Sequence, residues 1–147
     1  MLLKPQFSLL ATLLALSTAT FSAVATTYPV TLTDSDGQQV TLKQEPKRVV
    51  LQDGRDILTL ALLDRDDPFQ RLVAWNNLLK KSDAPTWDLM EKKWPEAKKI
   101  IDMGFSDKGE VNLESVVAEH PDLMIAQLRS KPSLSQGGVL DKMKQLG

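Results

Sequence analysis

The stretch Asn112-Leu113-Glu114-Ser115-Val116-Val117-Ala118-Glu119-His120-Pro121-Asp122-Leu123-Met124-Ile125-Ala126 constrains the fold more than any other part of the chain. It reads as a short capped helix, a proline turn and a buried strand. Asn112 is placed to cap the first helical turn through its side-chain oxygen, and Glu114 puts negative charge at the positive end of the helix dipole. Pro121 stops the helix, and the residue before a proline, His120, is pushed toward an extended conformation. Leu123 to Ala126 is a continuous apolar run, as expected of a parallel strand covered on both faces. A helix–strand unit of this kind implies α/β architecture, in which ligands sit beyond the carboxyl ends of the strands.

The first 25 residues read as an export signal, not as part of the fold. Lys4 supplies a weak positive start, Phe7 to Leu16 is a short apolar core, and Ala23-Val24-Ala25 is an A-x-A cleavage site. The apolar core is shorter than the roughly 20 residues a membrane span needs. Cleavage near Ala25 leaves residues 26–147, a length suited to one domain. Lys4 is the one charge removed, so the formal net charge goes from −1 to −2. The basic pairs Lys80-Lys81, Lys92-Lys93 and Lys98-Lys99 stand among acids, which favours solvated helix faces over a nucleic-acid surface. The chain has no cysteine. It must therefore rely on a packed core without disulfides, has no cysteine for lipid attachment, and has no thiolate for metal binding or nucleophilic catalysis. Together these point to a free periplasmic protein.

Along the mature chain, Pro29–Thr33 and Gln38–Leu42 flank the turn signal Asp34-Ser35-Asp36-Gly37 and form a β-hairpin. From Arg48 onward strands and helices alternate. Arg48–Leu51 is a strand, Gln52-Asp53-Gly54 a tight loop, and Ile57–Leu63 a helix apolar almost all round and therefore buried. Arg71–Trp75 is the next strand, Asn76–Ala84 a polar connector, and Pro85 opens a helix reaching Trp94. Pro95 breaks that helix, Glu96–Lys99 adds a turn, and Ile100–Phe105 crosses a strand end or loop. The helix–strand unit of Asn112–Ala126 follows, then a loop over Leu128–Gly138. Val139, Leu140, Met143 and Leu146 mark a final helix capped by Gly147. The expectation is a mostly parallel sheet with helices on both faces, preceded by an N-terminal hairpin.

Motifs of catalysis are scarce. Asp34-x-Asp36 invites a calcium reading, with Glu45 at the twelfth position. However, the turn glycine of such a loop belongs at position six and Gly37 stands at four, so a turn is the better reading. His120 is the single histidine; one imidazole alone predicts no metal site, and its place at the helix end favours capping or simple exposure. No Gly-x-Ser-x-Gly elbow, dinucleotide fingerprint or P-loop occurs. Trp87 and Trp94 are spaced for one helix face and read as core. Trp75 ends a strand where α/β proteins bind ligands, and its rigid ring makes a good wall for a bulky one. Gln52, Phe105, Gln127 and Arg129 hold similar strand-end positions. Arg129 carries the most pointed chemistry, because a guanidinium stays charged and grips anionic oxygens bidentately. The competing reading is a solubilising surface arginine.

These pieces resemble the N-terminal part of periplasmic substrate-binding proteins of ABC importers for iron-siderophore complexes, haem and cobalamin. The matching segments are Val30-Thr31-Leu32-Thr33-Asp34 with Gly37 and Val40-Thr41-Leu42, then Pro46-Lys47-Arg48-Val49-Val50. They continue with Trp94-Pro95-Glu96-Ala97-Lys98-Lys99-Ile100 and Asn112-Leu113-Glu114 through Pro121-Asp122-Leu123-Met124-Ile125-Ala126. The resemblance implies two α/β lobes joined by a long helix, with ligand in the cleft between them, and this chain is similar to the first lobe only, as in a truncated gene product, a fragment or half of a split protein. It implies capture of an iron chelate for delivery to an inner-membrane ABC permease, with no catalysis and no resident cofactor. Gln52, Trp75, Phe105, Gln127 and Arg129 would line the first lobe's half of the cleft. Haem, cobalamin or a metal ion are rival ligands for the same fold. A piece of an exported α/β enzyme and a lone assembly module are rival readings from other classes.

Overall fold

The computed structural model describes residues 26–104 and 111–146. The expected export signal at 1–25, the candidate Phe105 and the expected cap at Gly147 lie outside the described residues. Two strands, β1 (Val30–Thr33) and β2 (Gln39–Leu42), pair antiparallel as the expected hairpin. Its turn is closed by Asp34, whose Oδ1 accepts the backbone N–H groups of Asp36 and Gln38 at 2.9 and 2.8 Å. Gly37 takes a positive φ of 77° there, which a side chain would resist. Asp36 in turn pairs with Lys131. Both carboxylates of the calcium-like motif thus serve the turn and the docking of the hairpin.

The main sheet is built from β3 (Val49–Leu51), β4 (Leu72–Trp75), β5 (Ile101–Asp102) and β6 (Leu123–Ile125). All its pairings are parallel and its order is β5-β4-β3-β6. Strand β3 is central and buried on both faces. Side chains alternate across a strand, so Val49 and Leu51 face one layer and Val50 the other. The first layer holds α1 (Ile57–Leu63), α2 (Leu78–Ser82), α3 (Ala84–Lys93) and a 3-10 turn at Pro95–Lys99, which contribute Ile57, Leu79, Trp87, Met90 and Ala97. The opposite layer uses Val116 of α4 (Leu113–Ala118) and Met143 of α6 (Val139–Leu146) against Val50, Ala74 and Met103. The expected α/β sandwich with helices on both faces is what forms.

The opening unit behaves as its residues dictate, with two corrections. Asn112 caps α4 by accepting from Ser115 N–H, and Glu114 lies in the first turn. His120, however, is not extended. It adopts φ 48° and is exposed, closing the helix in the left-handed conformation typical of a C-terminal cap. Strand β6 pairs only with β3 among the described residues, and Ile125 is 37% exposed. An apolar run reads alike for a central strand and for a well-covered edge strand, hence the difference.

Three further differences concern helices. The connector at Asn76–Ala84 contains α2, capped by Asn77 Oδ1 on Lys80 N–H at 3.1 Å. The loop at Leu128–Gly138 contains a 3-10 turn, Leu128–Ser130, and α5 (Lys131–Gln136), with Pro132 in the first turn, where its missing N–H costs nothing. Helix α1 is not buried all round. Ile57 is fully enclosed, but Leu62 and Leu63 are 71% and 78% exposed.

The amino end of the sheet is zipped by polar bonds. Asp122 accepts from Lys47 N–H and Arg48 N–H, each at 2.9 Å. Arg48 reaches back to the Glu119 carbonyl and to its carboxylate at 2.8 Å. The segments Pro46–Arg48 and Pro121–Asp122, which carry much of the family resemblance, therefore hold β3 and β6 in register.

Candidate functional site

After β3 the chain goes to β4 and onward to β5, then returns to place β6 on the other side of β3. Strand order thus reverses between β3 and β6. In open α/β sheets the crevice beyond the carboxyl ends at such a switch point is where ligands bind, because the two following loops part there.

Those two loops carry a charged cluster. Asp53, the second residue beyond β3, is 1% exposed. Its Oδ1 accepts from Arg55 N–H at 3.0 Å and Arg55 Nε–H at 2.9 Å, capping the 3-10 turn Gly54–Asp56. Its Oδ2 accepts from Arg55 Nη2 at 2.5 Å and from Arg129 Nη2 at 2.9 Å. Hydrogen bonding from the Arg55 side chain holds the Asp53 carboxyl below its ordinary value of 3.8, outweighing burial, which pushes it up; Arg129 lowers it further. The same pair raises Arg55. Like charges side by side repel, and a buried carboxylate between two guanidiniums is what allows them to converge.

Polar struts set the loops. Gln52 N–H donates to the Ile125 carbonyl at 2.9 Å, and Gln52 Oε1 accepts from Gln127 N–H at 3.2 Å. Gln127 Nε2 donates to Asp56 Oδ1 at 3.4 Å. Gly54 is packed so closely that a Cβ there would lie 2.1 Å from the Asn76 carbonyl oxygen. The backbone after β3 is thereby wedged against the loop after β4.

Gln52, Gln127 and Arg129 are brought together at the switch point. Gln52 is 3% exposed and acts as a strut. The Arg129 side chain is 65% exposed and anchored at one end only. Trp75 stands at the same register level as Ile125, each paired with Leu51, two strand spacings or roughly 10 Å apart. Its ring, though, is fully buried, edge-on to Phe69 at 5.7 Å and tilted against Trp87 at 5.6 Å. Trp75 is therefore a core residue and offers a ligand no ring face. Trp87 is core as expected, and Trp94 donates from Nε1 to the Asp66 carbonyl at 2.7 Å. Phe105 lies outside the described residues.

Asp53 and Arg55 escape sequence reasoning because Gln52-Asp53-Gly54 reads as a generic turn. The available signal was an Asp-Gly-Arg-Asp run at the tip of a fully apolar strand, where charge requires a partner.

No family model matches the chain, and no curated protein matches it. Among solved structures, the crystal structure of the TroA-like periplasmic binding protein FepB from Veillonella parvula is similar, with a TM-score of 0.70 and 29% identity over 81% of this chain and 35% of that one. The chain spans about a third of that protein's length. Over that span the chain shares the mixed α/β fold of that TroA-like periplasmic binding protein.

Proposed function

We propose that this chain forms one wall of the ligand site in the periplasmic solute-binding component of an ABC importer. It takes an oxygen-rich ferric chelate of the siderophore type at the β3–β6 switch point and presents it for delivery to an inner-membrane permease. The carrying observation is the convergence of Arg55 and Arg129 on one buried carboxylate where strand order reverses. Similarity to a binding protein supports a role in capture and not in catalysis. Arginine forks match the oxygens of catecholate or hydroxamate groups, while Asp53 and Asp56 offset both positive charges. A donor-rich site of low net charge suits a large chelate with spread charge better than a compact oxyanion. Export through the signal at residues 1–25, with cleavage near Ala25, is part of the same proposal.

Calorimetric titration with ferric tris-catecholate, ferric tris-acetohydroxamate, haem and cobalamin tests it. Binding of a ferric chelate, weakened roughly tenfold by Arg129→Ala through loss of charged hydrogen bonds, is the expected result. Haem or cobalamin binding with both ferric chelates inert would assign the fold a different guest.

A further inference from the structure

Asp53 has three properties that a mere surface counter-ion lacks. It is 1% exposed. It binds both a side chain two residues away and one 76 residues away. Both guanidiniums meet at the same oxygen, Oδ2, so bonds of 2.5 and 2.9 Å keep their Nη2 atoms within 5.4 Å of one another.

Each guanidinium carries five N–H donors. Arg55 spends two on Asp53 and Arg129 one, and the remainder have no hydrogen-bond partner among the described residues. The Arg55 and Arg129 side chains are 48% and 65% exposed, so those donors open to solvent at the carboxyl edge of the sheet.

We propose that Asp53 is the positioning residue of the site: from beneath, it fixes Arg55 and Arg129 side by side so that a single chelate receives hydrogen bonds from both. This inference rests on the function proposed above and deepens it. Long arginine side chains lose rotamer freedom on binding, and a carboxylate that orders them beforehand removes that cost. The Asp53 carboxylate itself need not touch the ligand.

The sign of one substitution separates positioning from simple charge. Asp53→Asn keeps the shape and makes the site one unit more positive. If Asp53 acted only as a negative charge near the ligand, its loss would tighten binding of the triply negative ferric tris-catecholate. Positioning requires the opposite: calorimetry should show ferric tris-catecholate and neutral ferric tris-acetohydroxamate both bound about tenfold more weakly, with the circular-dichroism spectrum retained. In an Arg129→Ala background the same substitution should cost markedly less, because one of the two ordered partners is already gone.

Unchanged or tighter binding by Asp53→Asn, with Arg129→Ala still weakening the chelate, overturns the positioning role and leaves the proposed function standing. A wild-type chain inert to both ferric chelates overturns both. Should Asp53→Asn fail to fold, nitrogen-15 NMR of the wild-type chain decides. A resolved, slowly exchanging Arg55 Nε–H signal is expected, and a solvent-averaged one refutes the role.

Discussion

Two residues after β3 do most to shape its carboxyl end, and they do so differently. Gly54 is required by space: a Cβ at 2.1 Å from the Asn76 carbonyl must push two loops apart. Gly54→Ala should therefore cost about 1–3 kcal/mol of stability, the range of overpacked sites, as read by urea unfolding. Asp53 is required by charge. Its folded-state pKa is lowered from 3.8, so the native state binds its proton less readily than the unfolded chain does. Its contribution is complete above the unfolded value and is lost as pH falls through the folded one. Unfolding curves for the wild type and Asp53→Asn should accordingly stand apart at neutral pH and draw together below about pH 4. A constant separation down to pH 2.5 would show that the carboxylate's ionisation contributes nothing. Of the residues gathered at the β3–β6 switch point, Gln52, Gln127 and Arg129 were legible as strand-end positions, because strand ends are where α/β proteins place ligand groups. The Asp53–Arg129 bond joins residues far apart in sequence, and no local pattern encodes it.

Among the elements, strands were more legible than helices, for a physical reason. Val49–Leu51 and Leu72–Trp75 are short apolar runs whose boundaries are set by Arg48, Gln52, Arg71 and Asn76. The helices missed, α2 and α5, have five and six residues. Segments so short show less than two turns of periodicity, and their stability comes from an Asn77 cap or from buried Leu134, not from an amphipathic stripe. Helix α1 misled in the other direction. A sequence with no polar face cannot indicate which side meets the core, and only Ile57 is enclosed. Ile57→Ala should cost about 2–5 kcal/mol. Leu62→Ser and Leu63→Ser should stay within about 0.5 kcal/mol of the wild type. Comparable losses at all three positions, seen by thermal or chemical melting, would mean that the exposed leucines are covered in solution.

At the scale of the molecule, the two ends of the sheet divide the labour. The amino end is locked by Asp122, Arg48 and Glu119, whose donors and acceptors are engaged with one another. The carboxyl end holds the arginine pair with donors to spare. A ferric chelate offers a direct way to tell the ends apart, because iron(III) is paramagnetic and broadens nearby amide signals, whereas the gallium(III) complex of the same ligand does not. The decisive measurement is the heteronuclear NMR spectrum of the full chain with ferric tris-catecholate, set against its gallium counterpart. Selective broadening at Gln52–Asp56 and Gln127–Ser130, with Lys47, Arg48 and Asp122 left sharp, is the expected result. Broadening centred on Lys47, Arg48 and Asp122, or none at either end, would contradict the assignment of the β3–β6 switch point as the ligand site.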